Sequence, residues 1–444
     1  MIPPFALSRV PGPAVIFAIC LVIRLVVAWG IDSAIPVHKS VDMYATLATN
    51  ILHGHGFVME PGGEPIVWRA PLYPFFLAGL FALFGESNTT ALLWAQSIMD
   101  ATTATFAWWI GGTLFSPTCG LLAALGFALH PLSAYYTLRF LSEPLFTLCL
   151  TATSAGLVWA CRQSNLLPWG VVGLTIACMA LVRPAALLFC PFLLLGLRWC
   201  WHDTEGQWLR VVAIVTAGSL VPLAPWALRN AFVSHSFIPV ATGGGYALWI
   251  GNHRLTDGRE DWEVGPTTLQ VLEVERRAIR ASVEPVAPPG EADSDAYTNI
   301  SPTLDQAFAR AALAEISSDP IGWGRLLLRK FARFWFSVFL PKNTWAQWYV
   351  FAAQAMLLSL ALMGIVAGRT HGTKLVILLL PVLYLAFLHT LTFATLRYSI
   401  PLLPTLFVLA AAGALALRQA VARWDTAMPH GSLVLKIKAL KTLF

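Results

Sequence analysis

Residues 69–86 read RAPLYPFFLAGLFALFGE, and whether this stretch crosses a bilayer decides how the whole chain is threaded. Its apolar part, 71–85, starts Pro71-Leu72-Tyr73-Pro74 and stops at Gly85-Glu86. A helix needs about 20 apolar residues to cross the hydrocarbon core. This run is shorter and led by prolines, so it predicts a re-entrant or interfacial helix. Around it, long apolar segments alternate with polar connectors. Ten have the length or the character of a span: 14–30, 89–115, 119–138, 144–161, 168–182, 185–201, 209–227, 345–367, 374–393 and 399–418. The first contains Arg24 and lacks a small-residue cleavage site, so it is expected to be retained as a span.

Basic residues orient this threading, because Lys and Arg concentrate in short cytoplasmic loops. With the N-terminus inside and 71–85 not crossing, the inside segments hold Arg9, Arg162, Arg198, Arg210, Arg369, Lys374, Arg418, Arg423, Lys436, Lys438 and Lys441. The short outside connectors hold only Lys39, Arg69, Arg139, Arg183 and Arg397. If 71–85 crossed, every later loop would flip and the basic tail would lie outside. The charge pattern therefore predicts ten spans, one half-helix and both termini inside.

Composition agrees. Of 444 residues, 57% are hydrophobic and 12% charged, against about 25% charged in a soluble domain. The mean hydropathy is +0.67. Lipid must replace water over most of the surface, and the expected class is an all-α polytopic membrane protein. The net charge of +6 is spread along the chain, without the basic run and interleaved aromatics that nucleic acid would ask for. Seven cysteines sit in or beside apolar runs and read as small hydrophobes. No internal repeat supports a repeat-built transporter.

Four regions follow: a transmembrane module 1–227 with a first outer loop 31–70, a polar outer region 228–344, C-terminal spans 345–418 and a cytoplasmic tail 419–444. The polar region carries 13 acidic and 12 basic residues, too many for lipid. Within it 269–282 and 303–317 read as amphipathic helices, 285–299 as a loop, and 322–340 as an interfacial helix with basic and aromatic faces. Arg276 and Arg280 are expected on a solvent-facing side.

This threading puts Asp42, Arg69, Glu143, Arg183, Arg229, Asn252 and Arg397 on one face, the arrangement of a site at a membrane surface. Asp42, just past the first span, could serve as a general base or as a carboxylate favoured by the helix dipole. Glu143 precedes Pro144 at a helix start. It could cap that helix, act as a second acid or hold a divalent metal. His53 and His55 flank Gly54 and could bind metal or merely form a polar turn. Arginines in outer connectors run against the positive-inside bias, so each asks for an anionic partner, a protein acid or a lipid phosphate. Gly243–Asn252 reads as a glycine-rich loop with aromatics that a sugar could stack on. Arg24 and Asp100 lie within spans and are expected to pair.

The motifs Asp42 with Tyr44, Arg69-Ala70-Pro71-Leu72-Tyr73-Pro74, Ser142-Glu143-Pro144, Arg183-Pro184, Pro225-Trp226 with Arg229-Asn230, Leu248-Trp249-Ile250-Gly251-Asn252 and Arg397-Tyr398 come in a recognisable order. The chain resembles the protein-mannosyltransferase and lipid A aminoarabinose-transferase group of bacterial membrane glycosyltransferases, which have the GT-C fold. The resemblance implies a polyprenyl-phosphate-linked sugar donor and transfer to a lipid, glycan or protein hydroxyl on the periplasmic side of the inner membrane. It implies Asp42 and Glu143 as the acids and Arg69, Arg183, Arg229 and Arg397 as phosphate ligands. Tyr44, Tyr73, Tyr246, Trp249, Asn252 and Tyr398 are the expected substrate contacts. Many family members carry two adjacent acids in the first loop. Here Met43 follows Asp42, which leaves the acceptor open. The rival readings are a flippase or transporter of lipid-linked sugars and a non-catalytic membrane scaffold.

Overall fold

The computed structural model describes residues 11–34, 43–200, 205–284, 300–336, 345–368 and 372–427. The described residues are helical, with one isolated antiparallel bridge, Val58 to Pro65, in the first connector. The N-terminal part comprises α1 (Pro13–Ala34), α2 (Tyr44–Leu52), α3 (Leu72–Phe84), α4 (Thr89–Leu114), α5 (Pro117–Leu129), α6 (Pro131–Thr137), α7 (Glu143–Ala160), α8 (Leu167–Val182), α9 (Phe189–Cys200) and α10 (Glu205–Ser234). The polar region holds α11 (Gly244–Asn252), α12 (Pro266–Ala281), α13 (Pro302–Ser318) and α14 (Pro320–Phe336). Helices α15 (Trp345–Gly368), α16 (Gly372–Leu391) and α17 (Leu403–Ala427) complete the chain, with a 3-10 turn Leu396–Leu402 before the last.

Local sequence explains several helix starts. Asn88 accepts from the Ala91 amide and Ser116 from the Cys119 amide, with Pro117 in the first turn. Ser301 accepts from the Leu304 amide ahead of α13. Each satisfies an amide that the helix cannot. The short α3 matches the expected 71–85 run and ends at Gly85, whose φ of 88° suits a residue without Cβ.

Several expectations change. The run 119–138 is two helices, bent by 57° between Leu129 and Pro131. Proline there cannot donate to the preceding turn. Arg24 braces the break, donating to Phe127 O at 2.7 Å and His130 O at 3.2 Å. Arg24 also pairs with Asp100 at 3.2 Å, as expected. Thr137 donates to the same carboxylate at 2.5 Å, fastening α6 to the pair. Helix α10 runs past 227 to Ser234 with Pro222 and Pro225 inside it, so Arg229 and Asn230 are helical. Residues 244–252 are a helix rather than a glycine-rich loop.

Helices pack closely where glycines face each other. A Cβ on Gly364 of α15 would lie 2.0 Å from Leu409 O, and one on Gly413 of α17 would lie 2.0 Å from Leu360 O. Gly111 and Gly120 do the same for α4 and α5, and Gly173 and Gly218 for α8 and α10. In lipid, small residues let backbones approach where no hydrophobic drive draws helices together. Among the described residues, four helices are long and apolar enough to cross a membrane, or five if the bent pair is one span. The chain is a multi-pass membrane protein.

Candidate functional site

Ser142 stands at the N-cap of α7 but makes no capping bond. Its hydroxyl instead accepts from Arg183 Nε at 2.9 Å. Glu143 is fully buried. Its Oε1 accepts from Arg183 Nη2 at 2.7 Å and from Arg397 Nε. The two arginines arrive from far apart in sequence, Arg183 at the end of α8 and Arg397 in the turn before α17. One buried carboxylate oxygen thus serves two guanidiniums. The arginine side chains stay 13% and 12% exposed while the acid is sealed beneath them. Glu143 Oε1 is thus shielded from solvent and held against both arginines.

Aromatic rings border the cluster. Tyr398 lies 5.9 Å from the Arg183 guanidinium and 6.0 Å from that of Arg397, and Tyr136 lies 6.0 Å from Arg397. The Tyr398 ring stacks on His389 at 4.3 Å, and its hydroxyl donates to Glu260. Glu263, in the next 3-10 turn, is pushed up to about 7 by burial, against the pull of Arg259, Arg333 and Arg397. Tyr136, His389, Glu260 and Glu263 were not singled out in the sequence. A visible signal was the acid-aromatic run Glu260-Asp261-Trp262-Glu263; Tyr136 and His389 carried none.

The remaining expected residues fall in other places. Arg69 lies over the rings of Trp68 at 4.1 Å and Tyr44 at 5.6 Å. Tyr44 packs edge-on against Tyr73 at 5.0 Å, and Tyr73 donates to Gln96 at 3.2 Å. Arg229 donates to Ile66 O at 2.6 Å and covers the Phe57 and Trp226 rings, tying α10 to the first connector. Trp249 is in the core of the polar region with Phe308. Tyr246 donates to Asp261 at 2.6 Å and accepts from Arg276 at 2.8 Å. Asn252 is buried and accepts from Trp323 and Lys330. Asp42 lies outside the described residues, as does the expected loop 285–299.

Arg276 corrects an expectation. It is buried, paired with Glu273 at 2.8 Å and Asp261 at 3.3 Å, because α12 turns that face onto α11 and the 3-10 turn. Arg280 is partly covered and pairs with Glu284 at 3.5 Å. Among the described residues no group of three metal-capable side chains gathers. His53 pairs with Glu86 at 2.6 Å in an exposed turn. At Glu143 a cation would face two guanidiniums, so that carboxylate does not fit a metal.

Over 96% of its length the chain superposes on the oligosaccharyltransferase AglB of Archaeoglobus fulgidus, solved with an inhibitory peptide and a dolichol-phosphate, at 11% identity and a TM-score of 0.54. The chain has the GT-C fold. The apo form of the same archaeal enzyme gives a TM-score of 0.55 at 13% identity. The chain spans about half the length of these relatives, covering 54% of each. ArnT from Cupriavidus metallidurans bound to undecaprenyl phosphate matches 92% of this GT-C chain and 78% of its own, at 12% identity and a TM-score of 0.43. Residues 68–227 match the family described as dolichyl-phosphate-mannose-protein mannosyltransferase. This match begins at Trp68 and includes Arg69, Glu143 and Arg183. No curated relative matches the chain.

Proposed function

We propose that this protein is a membrane glycosyltransferase that moves a sugar from a polyprenyl-phosphate-linked donor to an acceptor hydroxyl. The observation that carries this is the Arg183–Glu143–Arg397 cluster on a GT-C frame. Transfer from such a donor releases a polyprenyl monoester phosphate, whose negative charge grows as the glycosidic bond breaks. Two arginines preset by a buried carboxylate meet that charge without reorganising during the reaction. The family match and the dolichol-phosphate bound to AglB support a lipid-linked donor.

In this reading Arg183 and Arg397 hold the leaving phosphate and Glu143 holds the arginines. Tyr398 borders the arginines, whereas Tyr44, Tyr73, Tyr246, Trp249, Asn252 and Arg229 take packing and hydrogen-bonding roles in the surrounding helices and connector. Asp42 takes the acceptor proton, giving single-displacement inversion. The site faces the periplasm of a bacterial inner membrane, and the acceptor is a lipid, glycan or protein hydroxyl. The archaeal enzyme is also known in complex with Zn and sulfate. The residues around Glu143 do not suit a cation, and no step here runs through one. A transporter finds less support, since the intramembrane pair Arg24 and Asp100 is spent on each other.

The test is transfer of radiolabelled sugar from membrane polyprenyl lipids by the purified protein. Asp42→Asn keeps the size and polarity of the side chain but cannot take a proton, so transfer should fall by about 10²–10⁴. Wild-type rates in Asp42→Asn and Arg397→Lys together would sink the proposal.

A further inference from the structure

Lys330 of α14 is fully buried, yet the oxygens that hold its ammonium are neutral. Nζ donates to Asn252 Oδ1 at 2.7 Å, Thr392 O at 2.8 Å and Leu391 O at 3.1 Å. The two carbonyls belong to the C-terminal end of α16, where the helix leaves acceptors without intrahelical partners and a cation is favoured. Asn252 Nδ2 reinforces the same point, donating to Leu391 O at 2.9 Å. Backbones close around it. A Cβ on Gly251 would lie 2.1 Å from Thr392 O, and one on Gly258 would lie 2.4 Å from Lys330 Cγ. Two residues further on, the Ala394 amide donates to Gly258 O at 3.1 Å. Arg397 and Tyr398 follow directly.

We infer that Lys330 is a positioning residue: its ammonium knots α11, α14 and the end of α16 together, and so fixes the segment that presents Arg397 to Glu143. The segment 392–399 carries Arg397, one of the two arginines on Glu143, but leaves a helix end through irregular backbone. Without a cation gathering the Leu391 and Thr392 carbonyls, that departure point is free to fray, and the Arg397 guanidinium loses its fixed approach. The consequence for ligand binding rests on the donor-phosphate role proposed for Arg397; the consequence for the segment does not.

The experiment uses the full chain in detergent or nanodiscs, with undecaprenyl phosphate as probe. Lys330→Met keeps the stem that packs on Gly258 and removes the charge; Lys330→Gln is the second variant, an amide that can still donate. Hydrogen exchange at residues 392–399 should rise more than about tenfold in Lys330→Met while α4 and α5 stay protected. Undecaprenyl phosphate affinity should fall several-fold, with Lys330→Gln intermediate. Adding Lys330→Met to Arg397→Ala should cost little more than Arg397→Ala alone, because both act through one side chain. Exchange rising throughout the bundle, or fully additive losses in the double variant, would overturn the inference. If wild-type protein ignores undecaprenyl phosphate, the proposed function falls and the exchange experiment alone decides on Lys330.

Discussion

Among the described residues, two buried ion clusters, Arg24–Asp100 and Arg183–Glu143–Arg397, are built to opposite specifications. Arg24 and Asp100 match one charge with one charge, at 1% and 3% side-chain exposure. The remaining Arg24 donors go to backbone carbonyls at the α5–α6 break and the carboxylate takes the Thr137 hydroxyl. At Glu143 one carboxylate serves two arginines, and those arginines keep an exposed edge. A sealed pair holds helices together; a cluster whose arginines keep an exposed edge can still reach a ligand. The difference supports reading the first cluster as structural and the second as the site proposed above.

The largest effect should come from breaking the balanced pair. Asp100→Ala leaves Arg24 buried and unmatched, at a cost of about 3–5 kcal/mol. The variant should fail to accumulate as folded protein, or melt far below wild type in detergent. Replacing both members, Arg24→Met with Asp100→Leu, should recover much of the loss. If Asp100→Ala alone is as stable as wild type, the pair is not the structural pin described here.

Next comes the open cluster. Lysine cannot copy the fork with which arginine grips a carboxylate or a phosphate. Arg183→Lys and Arg397→Lys should each weaken undecaprenyl phosphate binding by more than about tenfold, roughly 1.4 kcal/mol, while melting changes little. A large loss of stability with unchanged affinity would reverse the assignment of the two clusters.

Arg276 tests the contrast from a third position. It is as buried as a structural arginine but is matched by Asp261 and Glu273. Arg276→Ala should therefore reduce stability by about 1.5–3 kcal/mol, the range for hydrogen bonds to charged groups. Lipid-phosphate affinity should be unmoved, which a binding titration on the same preparation checks.

The smallest effect concerns pH. Burial lowers Lys330 from 10.5 to about 7, so the folded state favours the neutral amine more than the unfolded chain does. Between those values the unfolded state binds more protons, and stability from this group rises with pH. Below about 7 both states are protonated and its contribution is flat. Lys330→Met should remove an upward slope on the alkaline side of neutrality in melting temperature; an unchanged slope would place its origin elsewhere.

The amino-acid sequence by itself determined the class of this protein, most of its apolar helices and some of its helix starts. Those depend on hydropathy over a window and on capping residues, which are local. It marked Arg183, Arg397 and Glu143 as notable because charge beside apolar runs is costly wherever it occurs. Tertiary structure decided what each does. Glu143 was legible as a helix-start acid, and only the meeting of α7, α8 and the turn before α17 turned it into an anchor for two arginines. Trp249 and Asn252 looked like ligand contacts on a loop, yet α13 and α14 fold over them. Arg276 and Lys330 looked like surface charge on amphipathic helices. Burial depends on which elements pack together, and contacts between residues 61 to 254 positions apart leave no period or spacing in the chain to read.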